Sequence, residues 1–130
     1  MKQELSKLSP YLPYKLICQY RDAEDMRYEL VTSNIIETKG HREYGRIGIE
    51  VLLNDNNFKP ILRPLETITD EFEVNGEMIN IFDKVSFTFL DFQMYEDDLI
   101  SNISYKDINI LLSYHFDLFD LIINNLAIKK

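Results

Sequence analysis

Period-two alternation of apolar and polar residues dominates the first half of the chain. Leu16, Cys18 and Tyr20 alternate with Ile17, Gln19 and Arg21, the run Asp22-Ala23-Glu24-Asp25 interrupts them, and Met26, Tyr28 and Leu30 alternate with Arg27, Glu29 and Val31. Successive side chains on a strand point to opposite faces, so this pattern predicts a β-hairpin with one apolar face. Ile47, Ile49, Val51 and Leu53 predict a third strand, closed by Asn54-Asp55-Asn56-Asn57. Asn75-Gly76 separates Phe72-Glu73-Val74 from Met78-Ile79-Asn80-Ile81-Phe82; both turn residues tolerate positive φ, which predicts a tight hairpin. VSFTFLDF, residues 85–92, is rich in strand formers but runs into an acidic, helix-compatible stretch, so pattern alone leaves 85–100 open.

The period changes to three and four in the last third of the chain. Ile108, Leu111, Leu112, Phe116, Phe119, Ile122, Ile123 and Leu126 recur at helical spacing behind Ser104, a capping oxygen, with Asp107 placed against the positive end of the helix dipole. This predicts an amphipathic helix broken near residues 115–117 and ending around Asn124-Asn125, with its stripe packed on a sheet. Leu5 and Leu8 share a face of a short helix within residues 2–8, which Pro10 and Pro13 should end near Ser9. The expected fold is a single compact α+β domain over residues 1–130, with a small mainly antiparallel sheet packed against a C-terminal amphipathic helix and a short N-terminal helix.

All four prolines fall in two apolar segments that also carry basic residues, LSPYLPYKL at 8–16 and FKPILRPL at 58–65. Pro10-Tyr11-Leu12-Pro13 has the P-x-x-P form that aromatic grooves bind. The content of Tyr11, Leu12, Tyr14, Ile61, Leu62 and Leu65 is too apolar for exposed linkers, so both segments are read as extended connections packed on the core. Arg63 is the candidate binding residue of the second. Glu66 and Asp70 follow it by three and seven residues, so a helical turn would give it a carboxylate partner.

Composition narrows the function. With 130 residues, 45% of them apolar, the chain can build one core. Its mixed-charge start and the absence of a long apolar run point to a cytoplasmic protein with no membrane role. Cys18 is the single cysteine, which excludes an intramolecular disulfide and a cysteine metal cage; it is read as strand core. The net charge of −8 is uneven: residues 1–63 carry ten basic and nine acidic residues, residues 64–130 four and thirteen. Such a chain repels a phosphate backbone, disfavouring nucleic acid as the main partner, and its acidic half suits a basic protein.

Candidate chemistry is sparse. His41 and His115 are the only imidazoles, and no catalytic residue is assigned. His115, Asp117 and Asp120 look ligand-like, but on a helix they would point to different faces, so no metal is expected. Glu96-Asp97-Asp98 lacks the alternating ligands of a calcium loop. Lys39, Arg42 and Arg46, interleaved with Gly40, Gly45 and Gly48, offer a basic loop over residues 38–46 that is a candidate for phosphate or nucleic-acid contact, without any established phosphate-loop pattern. No cofactor is expected.

LSPYLPY, KPILRPL, VNGE and YHFDLFDLIINNLAI, in that order, resemble small uncharacterised proteins encoded in prophages and mobile elements of Bacteroides-type gut anaerobes, over about Leu8 to Ile128. That group commonly has glycine where Lys15 stands, and often where Asp120 and Asn125 stand. The resemblance implies a phage or mobile-element setting and no activity. The leading expectation is a non-enzymatic accessory protein that binds another, as yet unknown, protein; the alternatives are a nucleic-acid-associated protein using Lys39, Arg42 and Arg46, and a small enzyme with a fold-assembled His/carboxylate site.

Overall fold

The computed structural model describes residues 2–33, 36–37 and 45–130. The predicted first hairpin forms from β1 (Ile17–Tyr20) and β2 (Arg27–Val31), with Cys18 opposite Tyr28. Among the described residues six further strands follow: β3 (Ile36–Glu37), β4 (Gly45–Gly48), β5 (Phe58–Leu62), the Asn75-Gly76 hairpin of β6 (Phe72–Val74) and β7 (Glu77–Ile79), and β8 (Ile128–Lys129). The main sheet has the order β3-β4-β2-β1-β5-β8, and β6-β7 stands apart. Asn75 and Gly76 both have positive φ, as their turn requires.

The α+β class agrees with the sequence, and the main sheet is mixed, with three of its five pairings antiparallel and two parallel. β1 runs antiparallel to β2 and β5, and β3 to β4, whereas β2–β4 and β5–β8 are parallel. The β3–β4 pair joins the sheet through its second strand, so β4 lies beside β2 in the same direction. Alternation reports which face a side chain takes and says nothing of strand direction.

Pro60 sits inside β5 at no cost in hydrogen bonds to β1. The Arg21 amide donates to the Asn57 carbonyl, and two-residue steps from that pair leave Cys18 and Pro60 opposite one another at a position without hydrogen bonds. The proline nitrogen therefore faces away from β1, on the side where β8 pairs only from Ile61 onward.

Four α-helices are short. α1 (Leu5–Leu8) does not give way to extended chain at Ser9; residues Ser9–Tyr14 continue as a 3₁₀ helix. Its three-residue repeat places Pro10 over Pro13 and Tyr11 over Tyr14, so both prolines fit and both tyrosines share an edge. α2 (Ile49–Asn54) replaces the second half of the predicted third strand, because Ile49 and Leu52 also satisfy helical spacing and are the two residues the helix buries. α3 (Phe89–Tyr95) occupies the region pattern left open: the Thr88 hydroxyl accepts from the Asp91 amide and the Asp91 carboxylate from the Thr88 amide, a reciprocal cap.

α4 (Tyr105–Ser113) starts at the predicted Ser104 cap, and its buried Asp107 carboxylate accepts from the amide and hydroxyl of Ser86. Burial works to raise the Asp107 carboxyl, but the Ser86 bonds, then Ser104 and Lys106, outweigh it and hold it below the usual carboxylate range. The helix ends next to the break expected near residues 115–117, and no helix resumes toward Asn124-Asn125. His115 takes the left-handed conformation, its amide donates to Leu112 and that of Phe116 to Leu111, a Schellman termination. The pattern repeats without a helix when Asn125, also left-handed, donates to Ile122 and Leu126 to Leu121. Phe119, Ile122 and Leu126 thus keep helical spacing across a chain that turns.

α4 divides the core. Leu112 belongs with Leu16, Cys18, Leu30, Leu52 and Leu62 beneath the main sheet, while Leu111 joins Ile68, Ile81, Phe87, Phe92 and Phe116, and Leu118 packs against both groups. Tyr11 ties the two ends of the chain together: its hydroxyl donates to the Phe116 carbonyl at 2.6 Å and accepts from the Leu118 amide at 3.2 Å, and burial raises its pKa. Tyr11→Phe leaves both backbone groups without that partner and is expected to cost about 2–3 kcal/mol. Urea denaturation tests this, with a lowered midpoint and an unchanged slope expected.

Candidate functional site

The face of the sheet opposite Cys18 carries a concavity. Register aligns Ile17 with Ile61 and Ile61 with Ile128, a row of three isoleucines across β1, β5 and β8. The next row holds Gln19 opposite both Arg27 and Lys59. Together with Glu24, His115, Lys129 and Lys130, residues of these rows line a cavity of about 450 Å³. Apolar side chains thus form its floor and charged ones its wall.

The charges on that wall are unbalanced. Arg27 is held by its Nε, which donates to Gln19 Oε1 at 3.0 Å, while the Gln19 amide nitrogen donates to the Arg21 carbonyl. The Lys130 amide donates to the Leu62 carbonyl, which brings Lys130 beside Arg63. Partial burial, then Arg63 and Arg27, lower the Lys130 amine below its ordinary value. Among the described residues no carboxylate lies within ion-pair distance of Arg27, Arg63, Lys129 or Lys130, and Glu24 is the one acidic side chain on the wall.

His115 occupies the left-handed position that ends α4, where glycine is usual. Its Nε2 lies 2.6 Å from the Tyr14 carbonyl. A carbonyl only accepts, so Nε2 carries the proton and Nδ1 is the ring's acceptor. Burial lowers its pKa below the ordinary value; the Tyr14 bond opposes this, and Lys130 and Arg63 add to it. The ring is therefore neutral at pH 7.

Arg63 does not have the predicted carboxylate partner. Its Nε donates to the Tyr114 carbonyl at 3.1 Å, and its guanidinium carbon sits 3.9 Å from the centre of the Phe72 ring. Its backbone brackets the end of α4, the amide donating to His115 and the carbonyl accepting from Asp117. Burial lowers its pKa. Pro64 disfavours helical geometry at Arg63, so the helical turn begins only at Leu65–Thr67.

Lys39, Arg42 and His41 lie outside the described residues. Gly45 and Arg46 belong to β4 rather than to the expected loop, with Arg46 in register with Glu29 and Glu37. Asp117 accepts amides from Phe119, Leu121 and Ile122, so it caps backbone rather than joining His115 at a metal. Among the described residues no three His, Cys, Asp or Glu side chains gather in a metal-binding arrangement. Cys18 is fully buried and its pKa raised by that burial, which keeps it a protonated core thiol.

A second surface lies on α3. Leu90 is 73% and Met94 71% exposed, one helical turn apart, with Phe89 beside them, and the helix runs into the acidic turn Glu96–Asp98. Sequence reasoning singled out none of Arg27, Lys130, Leu90 or Met94. Arg27 was visible only as a polar position in an alternating strand.

Comparison with protein-family models, with curated proteins and with solved structures finds no match for the chain. Among the described residues no helix is long and apolar enough to cross a membrane.

The His115 geometry has a pH signature. A histidine whose folded pKa lies below its unfolded value contributes stability that is present above about pH 6.5 and lost as pH falls through the folded pKa. Glu24, Arg27, Arg63, Lys129 and Lys130 share its surroundings. In a His41→Gln background, the melting temperature should therefore fall over this range more steeply with His115 retained than with His115→Asn added, since asparagine tolerates the same backbone. Parallel curves would contradict the assignment.

Proposed function

We propose that this chain is a non-enzymatic accessory protein of the cytoplasm that acts by binding another protein through the exposed face of α3, in a phage or mobile-element setting. The observation that carries the reading is the exposed pair Leu90 and Met94 on a helix that buries only Phe92 and leads into Glu96, Asp97 and Asp98. Apolar anchors one turn apart with an acidic border suit a partner with an apolar groove and a basic rim, the arrangement by which a helix docks on another protein. The net charge of residues 64–130, four basic against thirteen acidic, favours the same class of partner.

A catalytic reading finds less support. His115 and Glu24 line one cavity, but no hydrogen bond joins them among the described residues, and the ring's Nε2–H is engaged by Tyr14. The test is affinity capture from a lysate of a Bacteroides-type host, with Leu90→Ser/Met94→Ser and Asp97→Lys/Asp98→Lys beside the parent. The first pair changes exposed positions and should alter stability by no more than about 0.5 kcal/mol. A partner that is lost with both variants, weakens with salt, and survives Ile123→Ser on a distant exposed site supports the reading. Capture that is indifferent to both variants overturns it.

A further inference from the structure

We propose that the cavity on the second face of the main sheet binds a small phosphorylated molecule, its phosphate held by Arg27 and Lys130 and its carbon body lying on Ile17, Ile61 and Ile128. The site is separate from the α3 face.

Three independent features converge there. The first is charge. Parallel register sets Ile61 beside Ile128, so the residues two further on, Arg63 and Lys130, are neighbours on the same face, and like charges placed side by side across strands destabilise a sheet. Arg27 adds to this crowding, and both arginines depress the Lys130 amine. In a chain of net charge −8 with carboxylates to spare, Glu24 is the one acidic residue lining the cavity; Glu29 shares the sheet face, opposite Ile17, but stands outside the lining. A bound dianion relieves the repulsion, whereas a monocarboxylate leaves more of it uncompensated.

The second feature is arrangement. Gln19, 5% exposed, uses its carbonyl oxygen on Arg27 Nε and its amide on Arg21, so the terminal amino groups of Arg27 are left to face a ligand in a fixed orientation. The volume of about 450 Å³ is in the range of small-molecule sites and exceeds what a bare phosphate needs. The isoleucine row supplies an apolar floor for the rest of the molecule.

The third is His115. Its left-handed backbone at the end of α4 carries a conformational cost, and the residue forms part of the cavity wall. A phosphate near Lys130 and Arg63 offsets the two cations that disfavour imidazolium, so binding raises the His115 pKa.

Calorimetric and NMR titration of the whole chain with butyl phosphate tests the proposal, with butyrate, butanol and inorganic phosphate as comparators at constant ionic strength. Expected is saturable one-to-one binding of butyl phosphate with a dissociation constant below about 1 mM, weakened about tenfold or more by Arg27→Gln/Lys130→Gln. Lys84→Gln/Lys106→Gln should leave it unchanged, and the His115 ring resonances should report the raised pKa. Lys130→Gln alone, at an exposed position, keeps the test decisive if loss of Arg27 disturbs the Gln19 contact. Absence of saturable binding, binding indifferent to these cations, or equal affinity for butyrate would overturn the phosphate assignment, and equal affinity for inorganic phosphate would overturn the role of the isoleucine floor.

Discussion

The stretch from Tyr114 to Leu118 is gripped from two sides, and the rest of the structure depends on that grip. From the N-terminal proline segment, the Tyr11 hydroxyl bonds Phe116 and Leu118, and the Tyr14 carbonyl takes the His115 ring. From the second segment, Arg63 exchanges backbone hydrogen bonds with His115 and Asp117. Each partner is a buried or half-buried polar group whose loss costs more than its presence contributes, so the grip specifies one path for the chain rather than adding much net stability.

Two consequences follow from ending α4 at this point. Phe116 enters the cluster of Leu111 and Phe92 while Leu121 enters that beneath the sheet, so a single reversal feeds both halves of the core. The chain is also released to run back beside β5 as β8, which adds Lys130 to a face that already holds Arg27. The cationic cavity is thus a product of the same termination. Charge is sorted by this path: cations gather over the outer face of β1, β5 and β8, while Glu96, Asp97 and Asp98 follow the exposed α3.

Elements governed by local chemistry were legible in the sequence. The β1–β2 alternation, the Asn75-Gly76 turn and the Ser104 cap each need only neighbours within a few residues, and each is present. The Thr88 and Asp91 cap was equally local and is a readable T-x-x-D signal that the strand-like composition of 85–92 obscured. Ile47 to Leu53 fits both periods, and burial of Leu52 decides for helix. The C-terminal stripe misled because two left-handed turns, at His115 and Asn125, preserve apolar spacing while reversing the chain. Lys15 and Asp120 are left-handed as well, at a conformational cost that glycine would not carry. The cavity was illegible, since Arg27, Arg63, His115 and Lys130 meet only through long-range pairing. Arg63 contacts a backbone carbonyl and a ring face rather than the expected carboxylate, because Pro64 and the long-range pairing with the end of α4 set its surroundings.

Native-state hydrogen exchange tests the central claim most directly. If the doubly held segment organises the fold, the amides of Arg63, Phe116 and Asp117 open only with global unfolding, as slowly as the Leu30 amide bonded to Leu16 in the main sheet. Exchange of Phe116 and Asp117 at the rate of a surface turn such as Asn102, well ahead of Leu30, would contradict it.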